Sequence, residues 1–95
     1  MKEIVLNNIN YEVMKDVRNG YVKDEVVSKV TDYFNNFDYI VGDWAYGKLR
    51  LKGFYNKNNK NCKDFNNIEL LEKYLKENCA YNCKYFVLKK VYKNK

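Results

Sequence analysis

The chain has no histidine and no proline, only four glycines and three cysteines, and no long apolar run. Each of these absences excludes something. Without histidine, the usual general base near neutral pH is missing. No Gly-rich phosphate loop, nucleophile elbow or carboxylate cluster takes its place. Asp43, Tyr46 and Lys52 are the one set that burial could tune for acid–base work, so the chain reads as non-enzymatic. The apolar runs fall far short of the roughly 18 residues of a membrane span. The opening MKEIVLNNINYE also lacks the apolar core of an export signal. An odd number of cysteines without such a signal points to free thiols in a reducing cytoplasm. The expectation is a cytoplasmic protein without membrane association, cofactor or metal.

Hydrophobic residues make up 46% of the 95-residue chain and aromatics 17%, too many for a disordered tail. A chain of this length buries roughly 65% of its unfolded surface. Residues 1–95 are therefore read as one folded domain. The net charge of +6 is unevenly spread. Residues 1–46 carry five basic and eight acidic residues, giving −3, whereas residues 47–95 carry thirteen and four, giving +9. A basic half attracts polyanions over about a Debye length, roughly 8 Å in physiological salt. Asn- and Lys-rich coding bias accounts for the same excess without any partner.

Periodicity divides the chain into seven elements. Ile4 to Leu6, the turn Asn7-Asn8 and Ile9 to Val17 read as two strands. From Val22 the apolar spacing becomes helical, with Val22, Val26, Val30, Phe34 and Phe37 on one stripe between the breakers Asn19-Gly20 and Asn35-Asn36. Tyr39 to Trp44 and Leu49 to Tyr55 read as strands joined through Ala45-Tyr46-Gly47-Lys48. The stretch NKNNKN is a solvated loop. A second helix follows, with Asn66 as its N-cap and Ile68, Leu71, Leu75 and Cys79 as its stripe. Tyr85 to Tyr92 is apolar at nearly every position up to Leu88, as a strand covered on both faces would be. The order β-β-α-β-β-α-β predicts an α+β, two-layer sandwich with a mainly antiparallel sheet and two helices.

The register of the central hairpin follows from its faces, because a one-residue slip exchanges them. An even loop sets Trp44 opposite Leu49, Gly42 opposite Leu51 and Ile40 opposite Gly53, an entirely apolar face. The other face then pairs Asp43 with Arg50, Val41 with Lys52 and Tyr39 with Phe54. An odd loop mixes polar and apolar residues on both faces. The hairpin residues Tyr39-Ile40-Val41-Gly42-Asp43-Trp44, Tyr46-Gly47 and Leu49-Arg50-Leu51-Lys52-Gly53-Phe54-Tyr55 resemble the signature of the YutD-like family. Tyr74-Leu75, Cys79, Cys83 and Tyr85-Phe86-Val87-Leu88 are similar to that family's C-terminal motif. The resemblance spans roughly residues 38–90. It implies kinship with small proteins of low-GC Gram-positive bacteria and their relatives, and it carries over no catalytic residue.

Three sets of side chains are candidates for function. Arg50, Lys52 and Lys48 with Tyr39 and Phe54 form a basic and aromatic strand face, with Lys84 and Lys90 nearby. Such a face suits RNA or another polyanion, since aromatics stack bases while cations hold the backbone. The same residues also read as a register-fixing Asp43–Arg50 pair and a cross-strand Tyr39–Phe54 pair. Asp43, Trp44 and Tyr46 are candidates for a protein-interaction surface, with another protein or a second copy of the chain held by the aromatic anchors. Cys79 and Cys83, four apart, offer a thiol switch, although they lack the C-x-x-C spacing of a redox pair. No second pair completes a zinc site. The polyanion reading requires Arg50 and Lys52 to point away from the helices.

Overall fold

The computed structural model describes residues 2–78 and 83–92. Strand β1 (Glu3–Leu6) turns through Asn7 and Asn8 into β2 (Ile9–Val17). Both asparagines are left-handed, with φ of 53° and 66°. Two successive positive φ values make a two-residue turn whose twist matches that of its strands. Helix α1 (Lys23–Lys29) and a 3₁₀ turn over Asp32–Asn36 lead to β3 (Tyr39–Ala45) and β4 (Lys48–Phe54). Two 3₁₀ turns, Asp64–Asn66 and Ile68–Leu70, lead to α2 (Leu71–Asn78), and β5 (Tyr85–Lys90) completes the sheet. The strand order is β1-β2-β5-β3-β4, and every pairing is antiparallel.

The fold is α+β with a five-stranded antiparallel sheet, as the element order implies. The hairpin register is the one that segregates the faces, with Trp44 opposite Leu49 and Asp43 opposite Arg50. β5 lies at the centre, between β2 and β3. Phe86, Val87 and Leu88 are wholly buried. Consecutive residues of a strand point to opposite faces, so three buried residues in a row need cover on both sides.

Both faces of the central strands meet that need. On one face Val26 of α1 and Phe34 of the 3₁₀ turn pack with Ile4, Leu6, Tyr11, Ile40, Phe86 and Leu88. On the other, Leu71, with Ile68, Tyr74 and Leu75 beside it, packs on Tyr39, Val41, Phe54 and Val87. Each face of the central strands thus has its own helical cover.

The first helical stripe is also interrupted. Helix α1 stops at Val30, which is extended at φ −78°, ψ 123°, and Thr31 is extended as well. β-branched residues lose side-chain freedom in a helix, and Val30-Thr31 marks the break. Val22 is exposed, while Val26 and Phe34 carry the burial. The expected cap at Asn66 shifts by one residue. Asn67 accepts a hydrogen bond from Glu69 N at 2.9 Å, while buried Asn66 accepts one from Lys63 N.

Candidate functional site

Asp43 and Arg50 face each other across β3 and β4, so the register alone brings their side chains together. Arg50 Nε donates to Asp43 Oδ1 at 2.8 Å, and its Nη2 donates to the carbonyl of Asn78 at 2.7 Å, at the end of α2. Asp43 is 1% exposed, whereas the Arg50 side chain is 46% exposed. The guanidinium is therefore half wet, with one edge committed to its own chain. Burial raises the pKa of the neighbouring Tyr74 phenol, and the Asp43 carboxylate adds to that shift.

Lys52 is two residues on, on the same face. Its Nζ lies 5.2 Å from the Phe54 ring centroid, 5.6 Å from Phe65 and 5.7 Å from Tyr74. A cation over several ring faces is attracted by each. Burial against them lowers the Lys52 pKa from its ordinary value. A cleft of about 440 Å³ opens beside this cage, lined also by Asp64, Lys73 and Glu77. Its charges are of both signs.

The residues expected to meet a polyanion are not gathered on one open face. Arg50 and Lys52 face the side that carries α2, and both are engaged by it. Tyr39 and Phe54 are opposed as the register requires, but they are 9% and 1% exposed and lie in the core beneath Leu71 and Tyr74. Buried rings cannot stack on bases. Lys48 stands in solvent, and Arg50 keeps one exposed edge. Trp44 is also structural: its Nε1 donates to Gly20 O at 2.7 Å, its ring packs on the first core, and Lys84 Nζ sits 5.0 Å from the ring centroid.

Tyr46 differs from all of these. It is fully exposed and left-handed, with φ 55°, and Gly47 follows at φ 75°. The turn is thus of the same primed type as Asn7-Asn8, with a tyrosine where asparagine costs less. For an ordinary L-residue this region costs roughly 1–2 kcal/mol. Two further aromatics stand out beside β4: Phe65 is 70% exposed and Tyr33 is 68% exposed. The sequence reading missed Phe65 and Tyr33, and gave Tyr74 only as part of the family resemblance. Phe65 had one usable signal, a lone aromatic amid the polar run Asn61 to Asn67.

Cys83 is disulfide-bonded, which corrects the expectation of a free thiol there, while Cys62 is free and half-buried. Cys79 lies outside the described residues. No cluster of histidine, cysteine and carboxylate side chains that could hold a metal occurs among the described residues. No described helix is long and apolar enough to cross a membrane.

Fold and site together define a small α+β domain with a tight central hairpin, whose buried Asp43 is held by Arg50 and whose tip presents an aromatic. The family described as "Putative antitoxin YutD-like" matches residues 5–89, and the chain belongs to the YutD-like family. It is 38% identical over 90 residues to the protein named "Putative antitoxin YutD" of Bacillus subtilis (strain 168), covering 95% of this chain and 99% of that one. The solution NMR structure of protein yutD from B. subtilis superposes with a TM-score of 0.82 at 36% identity. That superposition covers 100% of this chain and 86% of that chain.

Proposed function

We propose that this chain is a non-enzymatic regulatory protein that acts by binding a protein partner, with Tyr46 at the tip of the β3–β4 hairpin as the anchor. The observation that carries the reading is the left-handed, fully exposed tyrosine. Unfavourable backbone conformations persist where something other than stability maintains them. Tyrosine is also among the residues that dominate interface energies. The B. subtilis relative carries the name "Putative antitoxin YutD", and an antitoxin works through a second molecule. A protein partner accounts for the exposed aromatics better than RNA does, because the cations that RNA needs are held against α2.

The test is capture of a partner from gently lysed cells by the tagged parent and by Tyr46→Asn. Asparagine suits the left-handed position, so the variant is expected to be at least as stable in urea. Retention of a salt-tolerant partner is expected to fall roughly tenfold or more, as for an interface hot spot. Equal retention by parent and variant would remove Tyr46 from the interface and the reading with it.

A further inference from the structure

We propose that the open edge of β4 is a docking site for an extended segment of the protein partner in which acidic and apolar residues alternate. This rests on the partner-binding reading above and specifies what that partner presents.

β4 is an outer strand of the sheet. The two-residue turn makes Ala45 and Lys48 the closing pair of the hairpin. Antiparallel ladders alternate between bonded and unbonded pairs. Lys48, Arg50 and Lys52 therefore bond inward to β3, while Leu49, Leu51 and Gly53 turn their N–H and C=O groups outward. Tyr55 continues the outward series, and there the chain already lays a segment of its own on the edge. Tyr55 N donates to Asn66 O at 2.7 Å, and Ile68 N donates to Tyr55 O at 3.0 Å, as a parallel bridge with Asn67. Among the described residues, no other segment hydrogen-bonds the backbone from Leu49 to Gly53 on that side.

The edge is shaped on both flanks. A cleft of about 150 Å³ wraps it at Leu51 and Gly53, with Tyr33 on one side and Phe65 on the other. An added strand continues the two faces of β4. One of its faces meets exposed Lys48 and the solvent edge of Arg50, with Lys52 held in its ring cage, and the other meets Leu49, Leu51 and the bare Gly53. Opposite charges across strands stabilise and like charges destabilise. Acidic residues therefore belong on the first face and apolar ones on the second. The same rule disfavours a second copy of β4, whose face-matched pairing sets cation against cation. Backbone bonds supply affinity and alternate side chains supply selectivity in this mode of recognition.

The probe is the blocked peptide acetyl-Glu-Val-Glu-Leu-Glu-Val-Glu-amide, added to isotope-labelled whole protein, with a counterpart carrying lysine for glutamate. The acidic peptide is expected to slow hydrogen exchange of the Leu49, Leu51 and Gly53 amides about tenfold, and the lysine peptide to leave them unchanged. Leu51→Pro and Leu51→Ala remove the same side chain, but only proline removes the outward N–H. Affinity for the acidic peptide is expected to be about tenfold lower in Leu51→Pro than in Leu51→Ala, as for one lost hydrogen bond. Unchanged exchange at the three amides overturns the proposal, even if Leu51→Pro fails to fold. Equal affinity of the two folded variants overturns it as well. Loss of the peptide effect with Tyr46-dependent capture intact removes the edge alone, whereas loss of that capture removes the partner-binding reading whatever the peptide does.

Discussion

Asp43 shares its sheet face with buried Tyr39, Val41, Val87 and Phe54, and at 1% exposure its carboxylate has almost no water to solvate it. Its charge is tolerated because Arg50 Nε donates directly to it. A buried group that keeps its hydrogen bonds costs little, while one that loses them costs its full desolvation. Removing the carboxylate leaves the half-exposed guanidinium free to reach water, so the penalty is the lost charge-assisted bond plus a small void. Asp43→Ala is expected to lower stability by about 2 kcal/mol in urea denaturation. Arg50→Ala strands the buried acid instead and is expected to cost at least as much. A larger loss for Asp43→Ala than for Arg50→Ala would contradict this assignment of the pair.

At the scale of elements, two glycines fix how closely β3 and β4 approach their covering rings. A Cβ on Gly42 would sit 2.2 Å from the Phe86 ring, and one on Gly53 would sit 2.3 Å from the Phe37 ring. Phe86 is wholly buried at the centre of the sheet, whereas Phe37 is only partly buried and can swing outward. Gly42→Ala is therefore expected to cost about 3 kcal/mol and Gly53→Ala about 1 kcal/mol, measured by denaturant midpoint. The hairpin register was legible in the sequence because a single slip would have mixed Lys48 and Lys52 with Trp44 and Ile40. The buried run Phe86-Val87-Leu88 likewise announced a central strand. It also announced that both faces need cover. The orientation of Lys52 was not legible, since Phe65 and Tyr74 reach it from more than ten residues away. The break at Val30-Thr31 was hidden because a 3₁₀ turn continues the same apolar spacing through Phe34.

For the molecule as a whole, tyrosine governs the response to alkali. Burial raises the phenol pKa of Tyr11, Tyr21, Tyr74 and Tyr92, with Asp38 adding to the shift at Tyr92, whose hydroxyl donates to it. In the unfolded chain these groups ionise near pH 10. Their stabilisation is complete below that pH and is lost as pH rises through the higher folded values, because the unfolded state releases protons first. Lys52 works in the opposite sense. Its lowered folded pKa makes stability rise with pH up to the unfolded value, but it is one group against four. Net stability is expected to fall steeply above about pH 10, with tyrosinate absorbance rising together with loss of the folded signal. Ionisation of all the phenols well before unfolding would show that burial does not protect them.

The place of β5 governs the order in which the architecture can be completed. β1–β2 and β3–β4 are neighbours in the chain, yet in the sheet they touch only through β5, which is made after both. A ribosome therefore delivers two ribbons with no common seam and must add residues 85–90 before they can join. Until then the inner flanks of both ribbons stay unpaired and open to proteases and chaperones.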